Sequence, residues 1–453
     1  MHRALCPVET LYVGQRSRAV LSCALRGRVD VAALSAAYDA MAQAHPGLRS
    51  RIEHDGAGHV LRLLDEDERP SLTLRYGDLE EAYAEELNRP LTVGGPLSRA
   101  VLVSAPDEES HLFVLVIDHT VTDGHSSIAL HNALWDRYRA LVEGESAAEP
   151  AAELSAQPSA ELSDPRWPEP VSRLLPPVDE ADTATYLDGR LEEVRRHPVA
   201  LVPYDAVPGD GTRGGAGDGT GGPQGGIEVR RLTLDADHTA RLRRTARDAG
   251  VSVHAVVAAT LLATARRRLD GDGPRTLGCL SPVDLRSRLS PPVPATALVP
   301  AVTTHLQTLD VAEDLEPLEL ARTVHGRLSD FLARGDHFRE MRITPEIPRT
   351  PALQLATVIA TNMGVVPGPR LPEGLRAVDV RLVPAREQYF PQAGRSPVMA
   401  CVVSFEGRLS IEFPHSTACF SRSFMRAFRD DVRAGLLRFT TAAPSRRADA
   451  LTA

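Results

Sequence analysis

The segment Leu112-Phe113-Val114-Leu115-Val116-Ile117-Asp118-His119-Thr120-Val121-Thr122-Asp123-Gly124 decides the fold class. Six apolar residues end abruptly in Asp118-His119, a short turn leads to Gly124, and an amphipathic run follows from Ser126 to Leu141. That order predicts strand, loop, helix. A continuous apolar run rich in valine suits a strand buried on both faces better than one alternating between core and water. Ile128, Leu130, Leu134, Tyr138 and Leu141 recur mostly at three- and four-residue intervals and mark one helix face. His119 then stands at the end of a rigid element, where a catalytic base is best held.

Upstream, Asp30 reads as the N-cap of a helix through Leu34, Tyr38 and Met41 that stops at His45-Pro46-Gly47. Residues 48–64 read as two short strands about the turn Asp55-Gly56-Ala57-Gly58. Downstream, residues 143–177 turn to Ala, Glu, Ser and Pro, which suggests an exposed connection or a loosely packed segment between halves. Residues 208–226 are too rich in glycine to pack. No strand feeds that glycine stretch and no Gly-Lys-Ser/Thr ends it, so a flexible loop accounts for it better than a phosphate cradle. Beyond it come a strand at 229–234, a polar helix at 235–249 ended by Gly250, and an apolar helix capped by Ser252. A strand at 276–282 and a helix at 316–332 follow, then strands at 354–361, 378–383, 398–405 and 409–413, and a closing helix at 420–437. The expected division is an N-terminal domain over 1–180, a linker over 181–227 and a C-terminal domain over 228–453.

At 453 residues the chain exceeds one ordinary core. Hydrophobic residues make up 43% and charged residues 25%, ordinary for a globular protein. No window approaches the roughly 18 apolar residues of a membrane span, and the first residues lack a signal-peptide core, so a cytoplasmic protein is expected. Five scattered cysteines, Cys6, Cys23, Cys279, Cys401 and Cys419, argue against disulfides and a zinc cluster and read as small buried hydrophobes. The net charge of −9 disfavours nucleic acid. Every basic residue is arginine, which excludes Schiff-base and P-loop lysine chemistry.

His119-x-x-x-Asp123-Gly124 resembles the signature of the condensation-domain and chloramphenicol-acetyltransferase-like acyltransferase superfamily. Two ordered landmarks upstream resemble the same family, His45-Pro46-Gly47-Leu48-Arg49-Ser50 and the run from Pro90-Leu91 through Gly95-Pro96-Leu97-Ser98-Arg99-Ala100. Three downstream do too: the helix start from Gly250 to Ala259, Pro282-Val283-Asp284-Leu285-Arg286, and Thr361-Asn362-Met363-Gly364. The resemblance covers nearly the whole chain, and its nearest branch is the polyketide-associated acyltransferases of the phthiocerol dimycocerosyl transferase type. It implies an α/β (α+β) fold of two acetyltransferase-like domains in a V, with a tunnel at their interface. It also implies acyl transfer from a carrier-protein or coenzyme A thioester to a hydroxyl, less readily an amine, in polyketide, lipid or secondary-metabolite biosynthesis, with no bound cofactor or metal. The implied partners are an acyl carrier protein or polyketide synthase and a small alcohol.

His119 is the expected base, its imidazole taking the proton of the acceptor as it attacks the thioester. Asp123 is either the carboxylate of a dyad or a helix cap; the resemblance implies a third role, an ion pair with Arg286 that holds the loop. Gly124 would allow a tight turn and close approach of substrate. Thr361 and Asn362 are candidate tunnel residues that would hydrogen-bond the oxyanion. His125, His131 and His254 read as structural. Relatives often carry His-His where this chain has Asp118-His119, and a carboxylate there would raise the His119 pKa or reorient the ring. Two arginine runs, Arg241, Arg243, Arg244 and Arg247, and Arg266 to Arg268, could receive an acidic carrier, or be solvated helix faces. The competing functions are a non-catalytic docking module and a member diverted to cyclisation or dehydration of a tethered intermediate.

Overall fold

The computed structural model describes residues 2–144, 167–206, 225–387 and 397–441. Its strands, in chain order, are β1 (His2–Ala4), β2 (Ser17–Arg26), β3 (Ser50–His54), β4 (His59–Leu63), β5 (Leu72–Tyr76), β6 (Ser98–Ser104), β7 (Ser110–Asp118), β8 (Ile227–Leu234), β9 (Arg275–Asp284), β10 (Val302–Val311), β11 (Val358–Val365), β12 (Arg376–Arg386), β13 (Val398–Phe405) and β14 (Arg408–Ser416). The helices are α1 (Pro7–Gln15), α2 (Val31–Ala44), α3 (Leu79–Asn88), α4 (Gly124–Glu143), α5 (Glu180–Arg196), α6 (Ala236–Asp248), α7 (Val253–Arg266), α8 (Pro317–Ala333), α9 (Asp336–Arg342) and α10 (Arg422–Thr441).

The apolar run of β7 is continuous because its two faces meet two different cores. Phe113, Leu115 and Ile117 pack with Leu34 and Tyr38 of α2 and Leu130, Leu134 and Trp135 of α4. Val114 and Val116, pointing the other way, pack with Leu280, Ile359 and Met399 from the second half of the chain. Each such side chain removed from water contributes about 1.5–3 kcal/mol, so a one-residue slip of β7 would be opposed on both sides. The strand sits inside a five-stranded sheet of order β12-β2-β7-β6-β5. A six-stranded sheet, β10-β9-β11-β13-β14-β8, carries the second half, with α7 and α10 packed in its core. The fold is mixed α/β.

The sheets do not follow a division of the chain at residue 228. Strand β12, expected as a short strand at 378–383, is longer and pairs antiparallel with β2 along almost its whole length, which makes it the edge of the first half's sheet. Its alternation could not reveal which sheet it joins. The expected linker is also partly ordered: α5 is a 17-residue helix capped by Asp179, whose side chain accepts from the Ala181 N–H at 3.0 Å. Residues 207–224, which hold most of the glycine-rich stretch, and 145–166 lie outside the described residues. The strand expected at 354–361 starts later, at Val358, and Leu141 is exposed rather than on the apolar face of α4. No single helix among the described residues is long and apolar enough to cross a membrane.

Candidate active site

The loop after β7 is fixed at both ends by its own backbone. The His119 N–H donates to the Ser17 carbonyl at 2.9 Å, which extends the β2–β7 ladder by one pair, and Val121 N–H donates to the Asp118 carbonyl at 3.1 Å. His119 therefore inherits the position of a strand residue. Its ring stacks on Tyr12 of α1, centroids 4.1 Å apart and planes within 12°. Nδ1 is buried and makes no hydrogen bond of good geometry, its nearest acceptors being the backbone carbonyls of His119 and Thr122, while Nε2 makes none among the described residues and the ring lines a cavity. Burial pushes the His119 pKa down to about 4, and the positive charge of Arg386 adds to this. Asp123 and the backbone carbonyls of His119 and Thr122 oppose it less strongly. The imidazole is thus neutral at pH 7, the form a general base requires.

That cavity, about 250 Å³, lies where the two halves meet. Val8 and Tyr12 of α1 wall one side, Leu382 and Pro384 of β12 another, and Ile359 and Met399 of the second half a third.

Asp123 points away from His119. One carboxylate oxygen caps α4, accepting from the Ser126 N–H at 2.8 Å and its hydroxyl at 2.9 Å. The other accepts from Arg286 Nη2 at 2.8 Å and from the Ala301 N–H at 2.9 Å. Burial alone would push its pKa up; Arg286 and the N–H donors outweigh that and hold the carboxyl below its ordinary value. Arg286 also donates to the carbonyls of Pro294, Ala297 and Val299, so a single guanidinium ties the 294–299 segment of the second half to the loop of the first. The cap and the ion pair, weighed as alternatives in the sequence, are made by the two oxygens of one carboxylate.

Gly124 does not serve a left-handed turn. It is the first residue of α4, and a Cβ there would lie 2.4 Å from Met363 Sδ and 3.1 Å from its methyl. The missing side chain is the space in which Met363 crosses from the second half. Gly124→Ala should force Met363 toward the cavity and cost about 1–3 kcal/mol by overpacking. Chemical denaturation of Gly124→Ala beside Gly124→Ala/Met363→Ala checks this; the second change should restore most of the loss, and a Gly124→Ala protein as stable as wild type would refute the account.

The remaining candidates divide. Thr361 and Asn362 both line the cavity, with the Asn362 side-chain oxygen occupied by the Gly364 N–H at 2.8 Å. Asp118 is not among the lining residues; it accepts from the Thr120 N–H at 2.9 Å, and burial raises its pKa. The expected rise in the His119 pKa from this carboxylate does not occur, because β-strand alternation turns Asp118 to the opposite face. His125, read as structural, lines the cavity. His131 accepts from Trp135 Nε1 at 2.9 Å, and His254 bonds Ser281 at 2.9 Å. Tyr12 and Arg386 went unread; neither carries a motif, and each reaches the site only through tertiary structure.

Two family models match the chain: a condensation domain over residues 16–154 and the phthiocerol/phthiodiolone dimycocerosyl transferase C-terminus over residues 223–414. The chain belongs to the condensation-domain superfamily of acyltransferases, and it is an acyltransferase of lipid or polyketide biosynthesis. Within that superfamily its second half matches the dimycocerosyl transferase model. The phthiocerol/phthiodiolone dimycocerosyl transferase of Mycobacterium ulcerans (strain Agy99) is 27% identical over 384 residues, 83% of this chain and 84% of that one. Among solved structures, polyketide synthase associated protein 5 from Mycobacterium tuberculosis superposes with a TM-score of 0.69 at 22% identity, covering 97% of this chain and 98% of that one. The first condensation domain of the CDA synthetase superposes at 0.67 with 19% identity, covering 97% and 96%.

Proposed function

We propose that the chain esterifies a hydroxyl acceptor with an acyl group from a carrier-protein or coenzyme A thioester, with His119 as general base. Nε2 takes the hydroxyl proton as the oxygen attacks the thioester carbonyl, and the same proton then passes to the departing thiolate. No cofactor enters the step. Thr361 and the free amide nitrogen of Asn362 are the side chains offered to the oxyanion, and Gly124 and the Asp123–Arg286 pair hold the loop. The observation that carries this reading is the neutral imidazole, its Nε2 without a partner among the described residues, at a cavity built from both halves.

Incubation with a panel of acyl thioesters and alcohols, read by mass, tests it: ester should form with wild type, and absence of product from every pair would reject the reading. The acid limb of kcat/KM should fall near pH 4, far below the ordinary histidine value near 6.5. The same shift sets a stability trend. The unfolded chain binds the His119 proton first as pH drops below about 6.5, so the fold loses stability from there down to about pH 4 and gains nothing above. A limb centred near 6.5 would show that burial does not govern this ring.

Docking of an acidic carrier falls to α6, where Arg241, Arg244 and Arg247 are exposed. The run 266–268 does not serve: Arg266 is buried on the carbonyls of Leu269, Gly271 and Gly273, and Arg268 pairs with Asp431 at 2.6 Å.

A further inference from the structure

One row of residues crosses three strands beside the base. Arg386 of β12 pairs with Ser17 of β2, and Ser17 in turn accepts the His119 N–H. Paired residues on neighbouring strands project to the same face, so Arg386, Ser17 and His119 stand side by side, the outer two about 10 Å apart at the backbone. Each carries a buried polar atom without a partner: Arg386 Nε, Ser17 Oγ and His119 Nδ1. Arg386 and His119 both line the cavity.

Among the described residues, Arg386 has no ion pair or side-chain hydrogen bond. Its neighbour Glu387, turned to the other face, is taken by Arg16 at 2.9 Å and Arg18 at 2.8 Å. The other acids of the cavity are also committed. Asp123 and Asp284 face Arg286, and Glu340 holds Arg190 and the Tyr186 hydroxyl through Oε2, its Oε1 being buried without a partner. A half-buried guanidinium against apolar walls with no counter-charge is costly, and a planar anion removes that cost with two parallel hydrogen bonds.

We infer that Arg386 is a specificity-determining residue that binds a carboxylate carried by one of the two substrates, next to the reacting centre. The inference deepens the acyl-transfer reading and rests on it for the word substrate. A phosphate is the weaker fit, because the phosphate of a thioester carrier lies a full pantetheine arm from the sulfur, whereas Arg386 stands two strands from the base. The apolar walls meanwhile suit a hydrocarbon chain, so the preferred ligand is an aliphatic acid rather than a free small anion. Bound charge would also relieve the repulsion that Arg386 exerts on a protonated His119.

Calorimetric binding of octanoate and of 1-octanol to the full chain tests this without any thioester. Wild type should bind octanoate at least about 10-fold more tightly, the size expected of a charge-assisted hydrogen bond. Arg386→Gln should bring the two affinities together, Arg386→Lys should retain part of the preference, and circular dichroism should show all three proteins folded. Equal affinities in wild type, or a preference kept in Arg386→Gln, would overturn the assignment, as would displacement of octanoate by inorganic phosphate at matched concentration. Transfer assays then locate the charge: an ω-hydroxyoctanoate acceptor and a suberic monothioester donor, each beside its methyl ester. Preference for the free acid in either arm, lost in Arg386→Gln, supports the proposal, and no preference in both arms overturns it. A protein that binds octanoate through Arg386 yet transfers nothing sinks the acyl-transfer reading alone.

Discussion

His119→Ala is expected to lower kcat for acyl transfer by about 10²–10⁴, the range for loss of a positioned general base, which corresponds to about 3–5 kcal/mol in the barrier. The fold should survive. The ring makes no side-chain hydrogen bond, its backbone N–H bond to Ser17 is untouched by the change, and its main packing partner is the single face of Tyr12. A small shift in melting temperature with a large fall in kcat separates chemistry from folding. KM should change little, because the walls of the cavity come from α1, β12 and the second half rather than from the imidazole. Equal ester from both proteins would remove His119 from the mechanism and leave binding and orientation to account for any rate.

What was legible in the sequence is what local pattern encodes. The apolar run at 112–117 announced a strand covered on both faces, and Phe113 and Val114 do face different cores. Asp30 caps its helix as read, accepting from the Ala33 N–H at 2.9 Å. Asp123 and Arg286 lie 163 residues apart, and no periodicity links them; only the resemblance of Asp284-Leu285-Arg286 to a family landmark put them together. The role of β12 was illegible for a similar reason: an alternating strand states that it has two faces, not whose sheet it completes. That is why Arg386 escaped notice, and why Tyr12, on a nine-residue helix with a weak apolar stripe, did too. Asp118 shows the opposite error. Adjacency in sequence suggested contact with His119, yet adjacent strand residues point apart, and the carboxylate spends itself on the Thr120 N–H.

Asp123→Ala is expected to cost about 3–5 kcal/mol of stability, more than any other single change at the site. The reason is asymmetry. Removing the carboxylate leaves the Arg286 guanidinium, 5% exposed, among carbonyls with only the more distant Asp284 carboxylate at 3.9 Å, and it also removes the cap of α4 and the acceptor of the Ala301 N–H. Arg286→Ala should cost less, since Asp123 keeps the Ser126 and Ala301 donors and the positive end of α4. Arg286→Lys should not rescue, because one ammonium cannot reach Asp123 and the carbonyls of Pro294, Ala297 and Val299 in the fork geometry the guanidinium provides. Denaturant unfolding of these variants gives the order directly, and an Asp123→Ala protein within about 1 kcal/mol of wild type would contradict it. The informative variant is Asp123→Ser/Arg286→Met. Serine retains the cap, methionine fills the space, and no charge is left buried alone, so stability should return most of the way. Activity should not return with it. Without the pair, residues 294–299 of the second half keep only the apolar packing of Leu298 beside Val121 and Ile128 and lose their polar tie to the loop that ends in α4, and His119 sits four residues before that tie. Recovery of stability without recovery of kcat would show that the ion pair is retained for the geometry it imposes across the cavity; recovery of both would reduce it to one packing solution among several.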